Sequence, residues 1–322
     1  MTLRIGTRGS ELALYQAHAV AAQLRARAGV ECEIVVIKTS GDTLAEATLT
    51  QIGGKRLFVK EIEDALLADE VDLAVHSSKD MPVVLPDGLA IAGVLPREDA
   101  RDAVVLPGAK GVTVAFDKLV VQLGAKPRIG TSSVRRTAQL SRLFPGAAFL
   151  PIRGNLGTRL RKLDEGQYDA LVLASAGLIR LEQRARISTM LPVGACVPAP
   201  GQGIIAVEIR LSDDCAAAAV ATIDDGASRT ALEAERTVVT SLGGGCQMPI
   251  GVHAEVAGGD ITLTAIVLSL DGTRAIRAES RGPMTDPHQV GAAAAENLRA
   301  QGAEEILADV QRVHAAVEGI QP

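Results

Sequence analysis

The run Lys126-Pro127-Arg128-Ile129-Gly130-Thr131-Ser132-Ser133-Val134-Arg135-Arg136 opens a stretch, ending at Leu163, whose reading decides the fold. The stretch carries nine Lys and Arg residues and no Asp or Glu, although the 322-residue chain has a formal net charge of −5. The positive charge is therefore local. Arg128 to Thr131 predicts a short strand, Ser132 and Ser133 a cap, and Val134 to Leu143 an amphipathic helix. A helix opening after small polar residues aims free backbone N–H groups and a partial positive charge at one spot, which suits an anion. Arg135 and Arg136 would flank that spot with planar forks matched to carboxylate or phosphate. The unit then recurs: Phe149 to Ile152 is apolar, Arg153-Gly154-Asn155 turns, and Leu156 to Leu163 is helical with Arg159 one turn in. Two strand-loop-helix anion cradles side by side are expected; a solvated basic helix face is the plainer alternative.

Arg4-Ile5-Gly6-Thr7 near the N-terminus matches Arg128-Ile129-Gly130-Thr131, and each is followed by a small-residue loop and a helical pattern. The first helix is expected over Glu11 to Ala28 with Leu12, Tyr15, Ala19 and Ala22 on one face, and a second strand over Cys32 to Lys38. A further echo pairs Val71-Asp72-Leu73-Ala74-Val75-His76-Ser77-Ser78 with Tyr168-Asp169-Ala170-Leu171-Val172-Leu173-Ala174-Ser175. Both are buried-strand runs ending in small polar residues, where ligand loops leave a parallel sheet. The fold class expected is α/β: two related lobes facing a cleft, in the manner of periplasmic binding proteins.

Between the echoes, Ser40 to Gly54 is long, polar and Gly-bearing, a candidate lid. Lys55, Arg56 and Lys60 open the helix Leu57 to Ala68, where cations oppose the helix dipole and are expected to face something negative. Lys79 and Asp80 follow a strand's carboxyl end, a place suited to proton chemistry, with a surface ion pair as the alternative. Pro96 to Asp102 reads as a crossing to the second lobe, and Pro198 to Gly203 as the return, before a strand Ile204 to Ile209 that rejoins the first. Two crossings make a double hinge. Lobe 1 is thus residues 1–98 and 200–220, lobe 2 residues 99–199, and a C-terminal α+β domain 221–322, with a helix Ser228 to Leu242, three antiparallel strands and a closing helix His288 to Val317.

The four cysteines, Cys32, Cys196, Cys215 and Cys246, have no metal or disulfide spacing, so no metal is expected. Aromatic residues are 2% and no Trp occurs, which leaves little for bases to stack on and argues against nucleic acid. No apolar run reaches spanning length and the N-terminus enters a strand directly, so a cytoplasmic protein away from membranes is expected, and with no exposed heptad or long apolar edge a monomer.

The motifs Gly6-Thr7-Arg8-Gly9-Ser10, Gly54-Lys55-Arg56-Leu57-Phe58, His76-Ser77-Ser78-Lys79-Asp80, Gly130-Thr131-Ser132-Ser133-Val134-Arg135-Arg136, Arg153-Gly154-Asn155, Pro200-Gly201-Gln202-Gly203 and Gly244-Gly245-Cys246-Gln247 together resemble the porphobilinogen deaminase family, over the whole chain and in order. The resemblance implies a dipyrromethane cofactor joined by a thioether to Cys246, and condensation of four porphobilinogen molecules head to tail with loss of ammonia to give hydroxymethylbilane. It implies that Asp80 is the acid/base group, beside the pyrrole nitrogens and the cation left when ammonia departs. Lys79, Thr131, Ser132, Ser133, Arg135, Arg136 and Gly244 would hold the cofactor. Arg8, Ser10, Arg153, Arg159 and Arg180 would serve the incoming substrate, and Lys55 and Phe58 the lid. Arg56, Gly243 and Val238 depart from the family pattern at the lid, before the Gly-Gly-Cys turn and in the preceding helix.

The chemistry of the residues agrees with this reading. Each porphobilinogen carries two carboxylates, so a growing chain concentrates negative charge that fixed cations must meet, at about 1.5–3 kcal/mol per charge-assisted contact. Cys246 follows three glycines, which leaves room on its turn for a bulky adduct. A two-lobed solute-binding protein for a carboxylate or phosphate stays open from the hinge and cradles alone. An anion-sensing regulator would need a DNA-binding helix-turn-helix, for which no basic segment stands at either end.

Overall fold

The protein is seen in a computed structural model that describes residues 2–40, 59–108, 111–245 and 248–318. Most of the expected lid, with Lys55, Arg56 and Phe58, lies outside the described residues, as does Cys246.

The first sheet is built around β1 (Thr2–Thr7), flanked in parallel by β2 (Glu31–Val36) and β3 (Leu73–Ser77). Between β1 and β2 runs helix α1 (Glu11–Ala28), capped at its start by Ser10, whose hydroxyl accepts the Ala13 N–H, and stopped by Gly29 in the left-handed region at φ 65°. α1 turns Ala13, Gln16, Ala17, Val20 and Leu24 inward, so the expected face of Leu12, Tyr15, Ala19 and Ala22 is displaced. Small Ala13 and Ala17 let the helix lie close to the sheet, and Gln16 is drawn in because its amide donates to Ser77 Oγ (2.8 Å). Tyr15 stays 43% exposed.

The second sheet repeats the plan. β6 (Arg128–Gly130) lies between β7 (Ala148–Leu150) and β8 (Ala170–Ala174), all parallel. Adding β4 (Leu89–Val94), β5 (Asp102–Val105), β9 (Thr189–Met190) and β10 (Ile205–Arg210), the strand orders are β2-β1-β3-β10-β4 and β7-β6-β8-β5-β9. In each sheet the fourth strand runs antiparallel to the third. The echo in sequence is an echo in contacts. The Arg4 backbone N–H and Nη2 donate to the two oxygens of Asp72 at 2.7 Å each, and Arg128 makes the same pair of bonds to Asp169 at 2.7 and 2.8 Å. Gly6 and Gly130 are required where the two strands pass under bulky side chains: a Cβ would stand 3.0 Å from Val71 in one and 2.8 Å from Tyr168 in the other.

The chain crosses between lobes twice, and the crossings are strapped together. The Glu98 N–H donates to the Gly203 carbonyl (3.1 Å), Arg97 Nε to the Gln202 carbonyl (2.9 Å), and Gln202 Nε2 to the Ala100 carbonyl (2.6 Å). After the second crossing, β10 enters the first sheet between β3 and β4, and Ile205, Val207 and Ile209 complete the core that Leu3, Ile5 and Leu73 begin. Burial of each such side chain contributes about 1.5–3 kcal/mol, which is why the returning strand is pulled into the middle of the sheet.

The C-terminal α+β domain packs the helix Gly226–Ser241 and the helix Pro287–Ala300 on a three-stranded antiparallel sheet, β11 (Ile250–Ala257), β12 (Asp260–Leu268) and β13 (Ala275–Pro283). The single closing helix expected over His288 to Val317 is two, Pro287–Ala300 and Ala303–Glu318. Gly302, at φ 92°, adopts a backbone that a helix cannot continue through. A second correction concerns Lys60. It begins the helix Lys60–Leu67 and pairs with Asp64 one turn along (3.5 Å), so its charge is met within its own helix.

Candidate active site

Three parts of the chain meet at one crevice. Ser78 and Lys79 come from the end of β3, Ser133 and Arg135 from the loop and helix after β6, and Gly245 from the turn that leads to Cys246. Asp80 closes the short 3-10 turn Ser78–Asp80 and is exposed.

The two expected cradles exist and are tied to each other. In the first, Ser133 caps the helix Val134–Leu140 by accepting the Arg136 N–H, and Thr131 Oγ1 accepts the Ser133 N–H (3.2 Å). Ser132 is no cap. Its hydroxyl accepts the Ile152 N–H (2.9 Å) and donates to the Ile152 carbonyl (2.8 Å), which locks the first loop to the second. In the second cradle, Asn155 caps the helix Leu156–Asp164 through the Thr158 N–H, and Arg159 Nε donates back to the Gly154 carbonyl (2.8 Å).

The basic stretch lacks acids in sequence but not in space. Asp102, at the start of β5 and fully buried, accepts Arg135 Nη1 (2.7 Å) through one oxygen and Arg136 Nε (2.9 Å) and Nη2 (2.7 Å) through the other. Gln202 Nε2 adds a fourth bond (2.9 Å) from the second crossing. Burial alone would raise the Asp102 pKa, but the two guanidiniums outweigh it and hold the carboxylate well below its usual range. Both arginines were expected to be uncompensated; both are paired. Arg135 commits only Nη1, to Asp102, Cys196 Sγ and the Val197 carbonyl, and among the described residues its Nε and Nη2 have no acceptor. Those two groups remain for the crevice, which Arg135 lines.

Around this pair the cations outnumber the acids. Burial pushes Lys79 down to about 8, against the pull of Asp80, with Arg136 and Arg135 adding repulsion. Burial likewise lowers Arg159 to about 10, helped by Arg136 and Arg153 and opposed by Asp80, and burial alone lowers Arg153. Lys79 and Asp80 of the first lobe therefore share one electrostatic neighbourhood with Arg135, Arg136 and Arg159 of the second. Cations destabilised in this way are a site that gains by taking in anions.

The remaining candidates are spread more widely. Arg180 donates Nη2 to the Gly203 carbonyl (2.6 Å) at the second crossing; burial lowers its pKa, and Glu98 and Tyr15 oppose that shift. Ser10 is occupied in capping α1, and Arg8 is half-buried in the loop before it. Gly244 turns tightly over the C-terminal core, where a Cβ would come 2.6 Å from Ile250. A wider cleft elsewhere, between Glu11 and the helix Leu156–Asp164, mixes acids with bases, and its Arg186 is already paired with Asp164 (2.8 Å). It lacks the surplus charge.

Two α/β lobes on a double crossing, with a basic crevice completed by a third domain, define a protein built to hold a polyanion between its lobes. Residues 3–218 match the family model "Porphobilinogen deaminase, dipyromethane cofactor binding domain" and residues 230–300 match "Porphobilinogen deaminase, C-terminal domain". Porphobilinogen deaminases of Geobacter sulfurreducens and Geobacter metallireducens are 46% and 44% identical, over 96% and 98% of this chain and 94% and 97% of theirs. The chain belongs to the porphobilinogen deaminase family. Solved structures show slighter likeness: a VFT2 domain of Bordetella pertussis BvgS has a TM-score of 0.41 at 15% identity, covering 69% of this chain and 86% of that one. An ancestral cationic amino acid solute binding protein has a TM-score of 0.42 at 14% identity, covering 68% and 86%.

Sequence reasoning missed three residues that shape the site. Asp102 closes a charged segment and heads an apolar run, and an acid at the head of that run was a legible hint of a buried partner. Glu235, also fully buried, accepts Arg97 Nη1 (2.6 Å), the Gly201 N–H (2.6 Å) and the Ala254 N–H (2.7 Å), so one carboxylate joins both crossings to the C-terminal domain. Arg236 donates to the Pro82 and Val83 carbonyls (2.9 and 2.6 Å), holding the segment just past Asp80. No local pattern announces either of these.

Proposed function

We propose that this chain is a transferase that condenses four porphobilinogen molecules head to tail, with loss of ammonia, in the crevice where its three domains meet. The observation that carries the reading is the surplus of positive charge, half-buried at Lys79 and Arg159, around one exposed carboxylate, Asp80. The donor set fits a dipyrromethane: Lys79, Ser133 and Arg135 offer ammonium, hydroxyl and guanidinium donors suited to carboxylates, and Gly245 brings the crevice next to the tethering Cys246. When bound, that cofactor supplies the pyrrole α-carbon to which the incoming ring is joined.

The residues of the chain divide the rest of the work. Lys79, Arg135 and Arg136 offset the carboxylates of the bound chain, with Thr131, Ser132, Ser133 and Gly244 shaping the loops around it. Arg8, Ser10, Arg153, Arg159 and Arg180 receive the substrate, and Lys55 and Phe58 cover it. Asp80 gives a proton to the departing aminomethyl nitrogen as its C–N bond breaks, and the carboxylate left behind faces the positive charge on the substrate's methylene carbon. Once the new C–C bond forms, that carboxylate collects the proton released from the pyrrole α-carbon and can give it up at the next addition.

A single chain supplies all three walls of the crevice, which supports a monomer. The thiols of Cys32 and Cys196, which form no disulfide among the described residues, suit the reducing cytoplasm. No described helix is long and apolar enough to cross a membrane. Intact mass tests the reading: an increment of two pyrrole units is expected, absent in Cys246→Ser. An unmodified mass refutes it and favours a binding protein. Asp80→Glu should keep the increment and turn over slowly; near-normal turnover removes Asp80 from proton transfer.

A further inference from the structure

We propose that Ser78 is a positioning residue for the tethered cofactor, its hydroxyl donating a hydrogen bond to a cofactor carboxylate that Lys79 and Arg135 also face. The inference rests on the functional reading above and adds a contact to it. Ser78 lines the crevice beside Lys79, Ser133, Arg135 and Gly245, and is 3% exposed. Its backbone is fully engaged, the N–H donating to the Ile204 carbonyl (3.0 Å) and the carbonyl accepting the Met81 N–H (3.2 Å). The hydroxyl alone is buried with no hydrogen-bond partner among the described residues. Such a group is costly to leave unmet, and native proteins rarely keep one without a ligand or water to meet it.

The hydroxyl is also pinned. Gly201, at φ 71°, presses its backbone against Ser78 from the second crossing, so close that a Cβ there would stand 2.6 Å from Oγ. A side chain confined in this way loses little freedom when a carboxylate arrives. A hydroxyl can donate to that carboxylate with one proton and no change of charge, whereas a third cation would add to the repulsion that already lowers Lys79.

The test compares wild type, Ser78→Ala, Cys246→Ser and the double variant, reading intact mass and thermal midpoint. Ser78→Ala is expected to lower the midpoint of the loaded protein by about 2 °C or more, and to leave unchanged or raise that of the Cys246→Ser protein, which lacks the tether. Ser78→Gly also removes the donor and adds no bulk against Gly201, so its difference between the two backgrounds should follow that of Ala, and it serves should Ala fold poorly. Equal shifts in both backgrounds overturn the proposal, leaving a hydroxyl met by water or by packing only. Wild-type protein without added mass removes the carboxylate partner itself, and so sinks the functional reading and this contact together, an outcome the mass alone identifies.

Discussion

Replacing Asp102 by Asn probes how the basic loop is held. The carboxylate is fully buried, and the guanidiniums it joins are only 5% and 9% exposed in their side chains. Three charged N–H bonds of 2.7 to 2.9 Å end on it, with the Gln202 amide as a fourth. Asn keeps the shape but leaves two cations buried without an anion. Removing one partner of such a group costs about 3–5 kcal/mol, against about 1 kcal/mol or less for an exposed pair. For a lobe of about a hundred residues that is a fall in thermal midpoint of about 12 °C or more. Calorimetry of Asp102→Asn would measure it, with Glu165→Gln, which removes the exposed partner of Arg161, as a control expected to change little. Adding Arg136→Gln to Asp102→Asn should cost less than the two changes summed, because the second removes a cation the first has stranded. A loss below about 1 kcal/mol, or strictly additive losses, would refute the idea that this carboxylate neutralises the pair. The same group makes the lobe acid-sensitive: with its folded pKa depressed, its contribution is full above about pH 4 and fades as pH falls through the folded value.

Lys79 titrates near 8, so it is an ammonium below that pH and loses its charge above it. Uptake of a free dipyrromethane carboxylate by the Cys246→Ser protein, which lacks the tether, should weaken as pH rises through about 8, and Lys79→Arg should flatten that limb; an unchanged limb would exclude Lys79 as its source. Gly203→Ala places a Cβ 2.3 Å from the Glu98 carbonyl at φ 90°, where the crossings touch, and should destabilise by about 1–3 kcal/mol from backbone strain alone, measured by denaturant unfolding. Glu235→Gln removes the charge that joins Arg97, Gly201 and Ala254, and should make the crossings more open to limited proteolysis than in wild type; equal cleavage rates would show that packing alone secures them.

The lobes were legible because their information is local. Buried strands, small-residue loops and the doubled Arg-Ile-Gly-Thr motif each occupy a few consecutive residues, and the acid that answers each arginine sits at the same place in both echoes. What escaped depends on partners far along the chain. Arg135 and Arg136 looked unpaired because Asp102 lies more than thirty positions away. The inward face of α1 was misplaced because an apolar count ranks Tyr15 above Gln16, while the structure gives Gln16 a hydroxyl to bond and leaves Tyr15 exposed. The closing helix was drawn too long because the break turns on a single glycine within an otherwise helical pattern. Of the site itself, the cationic crevice was foreseen from composition. Its attachment to the C-terminal domain through Glu235 and Arg236 was not, since both stand on an ordinary helix whose sequence says nothing about what it touches.

β10 has a consequence for how the molecule is made. Until Arg210 has left the ribosome, β3 and β4 have no strand between them, and the apolar faces of both await a neighbour that is translated after the whole of the other lobe. The nascent chain must therefore carry an open sheet edge while the whole second lobe is synthesised, the kind of edge that invites wrong pairing. The second lobe draws every strand of its sheet from one uninterrupted stretch and is free to close first. The half that begins the polypeptide is thus the later one to be finished.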